Sequence, residues 1–232
     1  MTDFVNQYSC SDCKHCYTSN PFNLLGKEEL DILDKTRMEV QFKKGEIIYK
    51  QGTPLTHVVI IHDGLGKIYI EGSNNRNLTL CYTKKYELNG GVGIFVDQRH
   101  HSSLMAVTDC KSCFIDIQAF KAVMYGNAAF MEAYLKEYSE RVLHSYNQMV
   151  VLTQKNMEGR MAEAILDLND NIFENEVITN ISKQDLSEFT AMTKESAIRV
   201  LRDFSEEGQI EISNQTIRVL DRESLEHIAQ YG

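Results

Sequence analysis

Residues 181–210 read ISKQDLSEFTAMTKESAIRVLRDFSEEGQI, and the spacing of their apolar residues predicts two short helices separated by a brief break. Ser182 and Asp185 have the spacing of a capping box, and Thr193 is placed to cap the second helix. Beyond that helix, polarity alternates on both sides of the sequence SNQ at 213–215, which predicts a small hairpin. Helix, turn, helix and hairpin together predict a winged helix–turn–helix, a unit that binds DNA.

The second predicted helix carries the candidates for reading bases. Lys194, Glu195, Ile198 and Arg199 occupy its first turn and a half, the positions that face base edges when such a helix enters the major groove. Glu195 and Arg199 lie four residues apart on one face, which suits a G·C pair; the alternative is an ordinary ion pair along the helix. The candidates for contact with phosphates are Ser182, Lys183, Thr193, Ser196 and Arg202.

A proline-free segment from about Ala128 to Asp167 precedes the winged unit, and its apolar residues follow a seven-residue repeat. The repeat places Leu135, Val142 and Met149 at its a positions and Tyr138, Ser145 and Leu152 at its d positions. A repeat of this length predicts a long helix that pairs with its own copy across a two-fold axis, as in a homodimer. The alternative is that the helix merely packs on the preceding part of the chain.

Residues 38–117 consist of short β-like runs separated by glycines, from QFKKGEIIYKQG at 41–52 to FIDI at 114–117. Many short strands with such spacing predict an antiparallel sandwich or jelly roll. The chain as a whole is therefore of the α+β class.

Cysteines form two groups in the sequence. Cys10, Cys13 and Cys16 are separated by gaps of two residues, and Cys110 and Cys113 form a second pair. Two-residue gaps allow consecutive sulfur atoms to wrap around an iron–sulfur cube. Zinc, which also takes four thiolates, a metal-free thiol/disulfide switch and a functionally silent N-terminus stay open as alternatives. Cys81 lies in a strand-like run, where it is expected to be a small buried apolar residue.

Charge and composition narrow the function classes. The formal net charge of −9 argues against non-specific coating of nucleic acid or of an acidic membrane, but it leaves room for a small basic DNA-binding face. The sequence has no apolar run near the roughly 20 residues of a membrane span and no secretory signal, so we expect a cytoplasmic protein. No nucleophile–base arrangement accompanies the cysteines, which argues against an enzyme.

The order of these parts resembles the Crp/Fnr family of bacterial transcription regulators, most specifically at 42–54, 58–72 and 181–210. The resemblance implies a cysteine-rich segment (1–20), a cyclic-nucleotide-type β-roll sensor domain (21–124), a dimerisation helix (125–158) and a winged helix–turn–helix domain (159–232). It also implies a homodimer that binds palindromic DNA with TTGA-like half-sites and, as an activator, contacts RNA polymerase. Lys194 and Ile198 are the expected sources of departure from that half-site.

The cysteines resemble those of the oxygen-sensing branch of this family, which uses three N-terminal cysteines and a remote one. That resemblance implies a redox-sensitive [4Fe–4S] cluster on Cys10, Cys13, Cys16 and Cys113, with Cys110 as the substitute for Cys113. The commoner triplet of the family has a wider last gap than this chain. Ser145 stands where the oxygen sensor has an aspartate that weakens the cluster-free dimer, so here that dimer is expected to persist.

Cyclic-nucleotide binders of this fold carry Gly-Glu-Leu-Gly and then Arg-Ser. Here Gly91 stands at the glutamate position and His101 at the arginine position, within the runs GGVGIF at 90–95 and HHS at 100–102. A neutral imidazole does not replace a guanidinium fork on a phosphate, so the sequence argues against cyclic AMP as the ligand. The alternative to a cluster is a haem-bound gas or a small molecule in the β-roll, and His100 and His101 are candidates there.

Overall fold

The computed structural model describes residues 9–11, 13, 21–73 and 76–232. The chain forms two compact units. One comprises the described residues up to Ile68 with Thr83–Val142, and the other comprises those of Tyr69–Tyr82 with Leu143–Gly232. The two units are defined by contacts between residues, whereas the four predicted domains are consecutive stretches of the sequence. The four-part division therefore stays a prediction. None of the described helices is both long and apolar enough to cross a membrane.

Eight short strands build the β-roll in two four-stranded sheets, with the orders β1-β8-β3-β6 and β2-β7-β4-β5. The strands are β1 (Met38–Phe42), β2 (Ile47–Tyr49), β3 (His57–Asp63), β4 (Gly66–Ile70), β5 (Leu78–Thr83), β6 (Leu88–Asn89), β7 (Ser103–Ala106) and β8 (Cys110–Asp116). The order of the strands is that of a jelly roll, as the glycine-punctuated sequence predicts.

A layer of helices covers the β1-β8-β3-β6 sheet. These helices are α1 (Lys27–Asp34), α2 (Ile117–Gly126) and the beginning of the long helix α3 (Ala128–Gln154). Because side chains alternate along a strand, β3 turns Val58 and Ile60 toward the helices, and β8 turns Cys113 and Ile115 toward them. Phe130 of α3 is fully buried in this layer. The thiol of Cys113 therefore points into the apolar layer between sheet and helices.

The second unit contains the winged helix–turn–helix. Its elements are α4 (Met157–Asp167), β9 (Ile178–Thr179), α5 (Lys183–Phe189), α6 (Lys194–Glu206), β10 (Ile210–Ser213), β11 (Thr216–Val219) and α7 (Arg222–Tyr231). A π-helical turn, Leu168–Ile172, follows α4, and β11 pairs with both β10 and β9. The helix–turn–helix and its hairpin wing lie where the sequence predicts them, so the α+β fold with roll, long helix and winged unit is confirmed.

Two features of this unit were not predicted: the side-chain cap of α4 and the C-terminal helix. The Asn156 side chain accepts from the Gly159 amide at 2.8 Å and so caps α4, which separates it from the long helix. The C-terminal helix α7 was also missed, although Asp221 caps it through the Ser224 amide at 2.9 Å. A Cβ atom on Gly159 would come within 2.8 Å of the backbone of Gly232, so glycine is what allows the residues at the end of α7 to approach α4.

Candidate functional site

The structure brings three of the four cysteines of the predicted metal site together. Cys10 and Cys13 belong to the N-terminal segment and Cys113 to β8, and their side chains are at most 5% exposed. The Cys13 thiol donates a hydrogen bond to the Cys113 sulfur, and the Cys10 thiol interacts electrostatically with Cys113. Cys16, the fourth predicted ligand, lies outside the described residues.

The register of β8 decides which of its two cysteines joins this group. Cys113 lies opposite Glu39 of β1 and Ile60 of β3, on the face that the helices cover. Cys110 is three residues earlier, an odd separation that turns its side chain to the other face. Its thiol donates to the Leu65 carbonyl oxygen at 3.3 Å. The structure therefore does not bring the substitute ligand Cys110 to Cys10 and Cys13. Cys81 lies in β5 and is half-buried.

A buried cation accompanies the thiols, and the sequence analysis missed it. The Arg37 guanidinium, 3% exposed, donates from Nη1 to the Cys113 sulfur at 3.4 Å. Its Nε donates to Asp34 Oδ1 at 3.0 Å, and Nη1 lies 3.6 Å from a carboxylate oxygen of Glu39. The Cys10 amide also donates to Asp34 Oδ1, at 3.1 Å. In sequence, Asp34 and Arg37 look only like an ion pair at a helix end, so no local pattern indicated their role.

The three thiols of this site differ in pKa. The hydrogen bond from Cys13 lowers the pKa of Cys113 to about 7. Burial raises this pKa, and Arg37 lowers it further. Burial and then Asp34 raise the pKa of Cys10 to about 12, and the bond to Cys113 raises the pKa of Cys13. The arrangement therefore favours a thiolate at Cys113 flanked by two thiols.

The donor atoms of Cys10, Cys13 and Cys113 are of the kind that an iron–sulfur cluster needs. Within the described ranges, no three His, Cys, Asp or Glu side chains have an arrangement that could hold a metal ion as they stand. Three sulfur donors from two segments nevertheless converge in a buried, apolar layer beside a fixed positive charge. Soft thiolate donors in such surroundings are those that iron–sulfur clusters use. The donor set therefore fits the predicted group, with its fourth member outside the described residues.

Gly91 and His101 stand where cyclic-nucleotide binders of this fold carry a glutamate and an arginine. Gly91 has a φ of 70° and precedes a 3-10 turn, Val92–Ile94. His100 is only 7% exposed and stacks on Tyr49 with ring centroids 4.1 Å apart, which is the geometry of a packed core residue. The exposed His101 has its Nε2 3.0 Å from Asp97 Oδ1. Both predicted candidates thus have protein partners of their own.

The α6 helix presents the predicted base-reading residues to solvent. Its buried face consists of Ala197, Val200, Leu201 and Phe204, which leaves Lys194, Glu195, Ile198, Arg199 and Arg202 exposed. Thr193 accepts from the Ser196 amide at 3.2 Å and caps the helix.

The remaining candidates for phosphate contact lie at helix ends. Ser182 caps α5 by accepting from the Asp185 amide at 3.1 Å, and Lys183 is exposed in the first turn. Glu195 and Arg199 form no ion pair with each other in the described structure. Arg199 instead reaches the Met157 sulfur at 4.0 Å, and Arg202 lies 3.3 Å from Asp203.

The exposed apolar face of α3 is rotated from the predicted seam. It consists of five residues, here called the apolar stripe: Leu135, Leu143, Tyr146, Met149 and Val150. Of the predicted seam, Leu135 and Met149 lie on this stripe, whereas Val142, Ser145 and Leu152 are half-buried. Tyr138 turns inward and stacks on Tyr134 with centroids 6.4 Å apart. The apolar residues Leu143, Tyr146 and Val150 were visible in the sequence but do not fit the seven-residue repeat that was chosen.

Comparisons with known proteins match both halves of the chain. A model described as the cyclic nucleotide-binding domain matches residues 39–127, and one described as the Crp-like helix–turn–helix domain matches residues 159–228. The fumarate and nitrate reduction regulatory protein of Escherichia coli is 22% identical over 230 residues, which cover 95% of this chain and 90% of that protein. The CRP-like cAMP-activated global transcriptional regulator of Mycobacterium tuberculosis is 22% identical over 198 residues, covering 83% of this chain and 88% of that protein. Among solved structures, FixK2 from Bradyrhizobium japonicum shares the fold with a TM-score of 0.76 at 17% identity, covering 83% of this chain and 96% of that chain.

The buried His100 makes stability depend on pH. Burial lowers its pKa from 6.5 to about 4. Between these pH values the unfolded chain binds a proton at this position that the folded chain does not bind, so the free energy of unfolding falls as the pH is lowered. His100→Phe keeps a ring on Tyr49 and removes the titration. In urea unfolding, we expect H100F to lose less stability than the wild type between pH 6.5 and 4. The exposed His227 provides the control variant H227Q, which should keep the wild-type slope; equal slopes in H100F and wild type would contradict the assignment.

Proposed function

Because the chain belongs to the Crp/Fnr family of DNA-binding transcription regulators, we propose that it is a homodimeric regulator whose DNA binding is controlled by an iron–sulfur cluster. The ligands in this proposal are Cys10, Cys13, Cys16 and Cys113, and the cluster is of the [4Fe–4S] type. The observation that carries it is the convergence of Cys10, Cys13 and Cys113 beside a buried arginine. Members of this family are transcription regulators and not enzymes, which confirms the expectation that the chain is not an enzyme.

Two positions of the β-roll also bear on the identity of the effector. Gly91 and His101 stand where a cyclic nucleotide would need a carboxylate and a guanidinium, and His101 is paired with Asp97. These positions support a regulator that does not respond to cyclic AMP. We place the protein in the cytoplasm, where thiols stay reduced.

One layer of buried side chains connects the thiols with the long helix. A cluster bound to the four cysteines supplies a redox centre that reacts with oxygen or nitric oxide. Cys10 and Cys113 pack in the same apolar layer as Leu33 of α1 and Phe130 and Tyr134 of α3. A closely packed layer changes between distinct arrangements and does not deform gradually. Release of the N-terminal segment therefore changes the packing at the base of α3.

The apolar stripe on α3 is the surface that we assign to the dimer. Five large apolar side chains, each at least 48% exposed, follow one side of a 27-residue helix. In a dimer with two-fold symmetry, the same stripe of a second copy would shield these side chains from water. Ser145, next to Tyr146 in sequence, is neutral and adds no charge repulsion between subunits, so the cluster-free protein also stays dimeric.

Two α6 helices in a dimer would meet half-sites about 34 Å apart on a palindrome. Family resemblance suggests TTGA-like half-sites, with Glu195 and Arg199 reading a G·C pair. Lys194 and Ile198 are exposed next to them and are the sources of departure from that sequence. Ser182, Lys183, Thr193, Ser196 and Arg202 contact phosphates in this proposal. As an activator, the protein would also contact RNA polymerase.

The cluster is tested by the two cysteines of β8, which lie on opposite faces. Wild type, C113S and C110S are purified without oxygen and compared by visible absorbance and by iron and acid-labile sulfide assays. We expect a brown protein with iron and sulfide for wild type and C110S, and loss of both in C113S, because only Cys113 faces Cys10 and Cys13. Colourless wild-type protein, or zinc in place of iron and sulfide, would refute cluster sensing.

The dimer is tested at the centre of the apolar stripe. Leu143→Glu places a charge on a side chain that is 60% exposed in one subunit and would be buried between two. We expect wild type to sediment as a dimer at micromolar concentration, with or without the cluster, and L143E as a folded monomer. Tyr125→Glu, at an apolar side chain exposed on α2, is the matched control and should stay dimeric. A dimeric L143E would place the interface elsewhere, and a monomeric cluster-free wild type would refute the inference about Ser145.

Base reading is tested by comparing two arginines of α6. Arg199→Ala should cost about 1–3 kcal/mol of DNA-binding free energy and relax preference at one base pair of each half-site. Arg202→Ala should weaken binding by a similar factor on every sequence, as expected for a phosphate contact. The measurement is a titration of labelled palindromes with each base pair varied in turn. Equal loss on all sequences for R199A would count against its reading role.

A further inference from the structure

One carboxylate links the two cysteine-bearing segments through a buried arginine. Asp34 Oδ1, at the end of α1, accepts both the Cys10 amide at 3.1 Å and the Arg37 Nε at 3.0 Å. Arg37 then donates from Nη1 to the Cys113 sulfur at 3.4 Å. The N-terminal segment and β8 are therefore joined by an unbroken chain of hydrogen bonds between protein groups.

We propose that Arg37 and Asp34 are positioning residues of the thiol site, which hold Cys10 and Cys113 together before any cluster is bound. The proposal depends on the proposed function only in taking these cysteines as cluster ligands. Its content is that the metal-free site is already assembled by the protein.

The Arg37 guanidinium is buried, whereas its partner Asp34 is partly exposed. The side chain of Arg37 is 3% exposed, and Glu39, its second acidic neighbour at 3.6 Å, is also 3% exposed. Withdrawing a guanidinium from water costs several kcal/mol, and an apolar residue commonly replaces a buried ion pair without loss of stability. The charge therefore has to be explained by what it contacts, and one of its donors contacts a thiol sulfur.

The shape of arginine matters as much as its charge. An arginine side chain stays protonated in proteins, so the buried group is a cation. Its planar fork directs Nε to Asp34 and Nη1 to Cys113 at the same time. A lysine ammonium is a point charge without this fixed fork, so lysine keeps the charge and loses the bridge.

The test uses the full chain in its metal-free, reduced form. Wild type, Arg37→Lys and Asp34→Asn are treated without oxygen with diamide, which takes two electrons and two protons from a pair of thiols as they form a disulfide. Peptide mapping by mass spectrometry then follows the rate at which Cys113 becomes linked to Cys13 or Cys10. Lys43→Met, which removes an exposed ion pair of 2.8 Å with Asp109 at the rim of the roll, is the matched control.

We expect K43M to match the wild type and both R37K and D34N to form the link about tenfold more slowly, as for the loss of one charge-assisted hydrogen bond. Far-UV circular dichroism and thermal melting identify any variant that fails to fold, and D34N, at a partly exposed carboxylate, keeps the test valid if R37K does so. Wild-type rates in folded R37K or D34N would overturn the proposal.

Cluster reconstitution separates this proposal from the proposed function. A wild type that binds no iron and sulfide, with slowed linkage in R37K and D34N, would refute cluster sensing and support the positioning role. A wild type that binds the cluster, with unchanged linkage in both variants, would support cluster sensing and refute the positioning role.

Discussion

The pairing of β8 between β1 and β3 is the constraint on which the thiol site depends. In this register Cys113 lies between Glu39 and Ile60 and faces the helices, while Cys110 faces the other way. Because side chains alternate along a strand, a slip of one residue would turn Cys113 out of the helix-covered layer. The strand register therefore determines which thiol contacts the N-terminal segment, and with it the donor atoms of the site.

The same layer has two roles. Cys10 and Cys113 pack with Leu33, Phe130 and Tyr134, so the sulfur atoms of the candidate site are part of the hydrophobic core and not an attachment to it. A buried cation, Arg37, stands at the point where the thiols meet. Interiors are packed almost as tightly as crystals of small molecules, which means that a change in the thiols cannot be absorbed locally. In the function proposed above, this packing couples the thiols to the long helix without a dedicated pathway.

Local signals in the sequence were sufficient for the helix–turn–helix and its hairpin wing. Ser182 and Thr193 cap their helices within one turn, so their role could be read from neighbouring residues alone. Cys113 could be preferred over Cys110 only through a family resemblance, because the physical reason is a pairing with strands far away in sequence. The part played by Arg37 depends on a contact with β8 and left no local pattern.

The long helix shows a different limit. A seven-residue repeat indicated a long helix, which is confirmed, but α3 carries apolar residues on two sides. Tyr134 and Tyr138 turn toward the interior, and this rotates the exposed face to Leu143, Tyr146 and Val150. A repeat identifies apolar positions, while the neighbouring layer decides which of them remain in solvent.

The two faces of α6 have separate roles, and this affects how the sequence of such a protein diverges. Ala197, Val200, Leu201 and Phe204 hold the helix in place, while the residues assigned to operator choice project from its other side and carry almost none of its packing. Surface substitutions away from caps and cores usually change stability very little. Copies of this gene can therefore acquire new target promoters in single steps, without compensating changes in the scaffold.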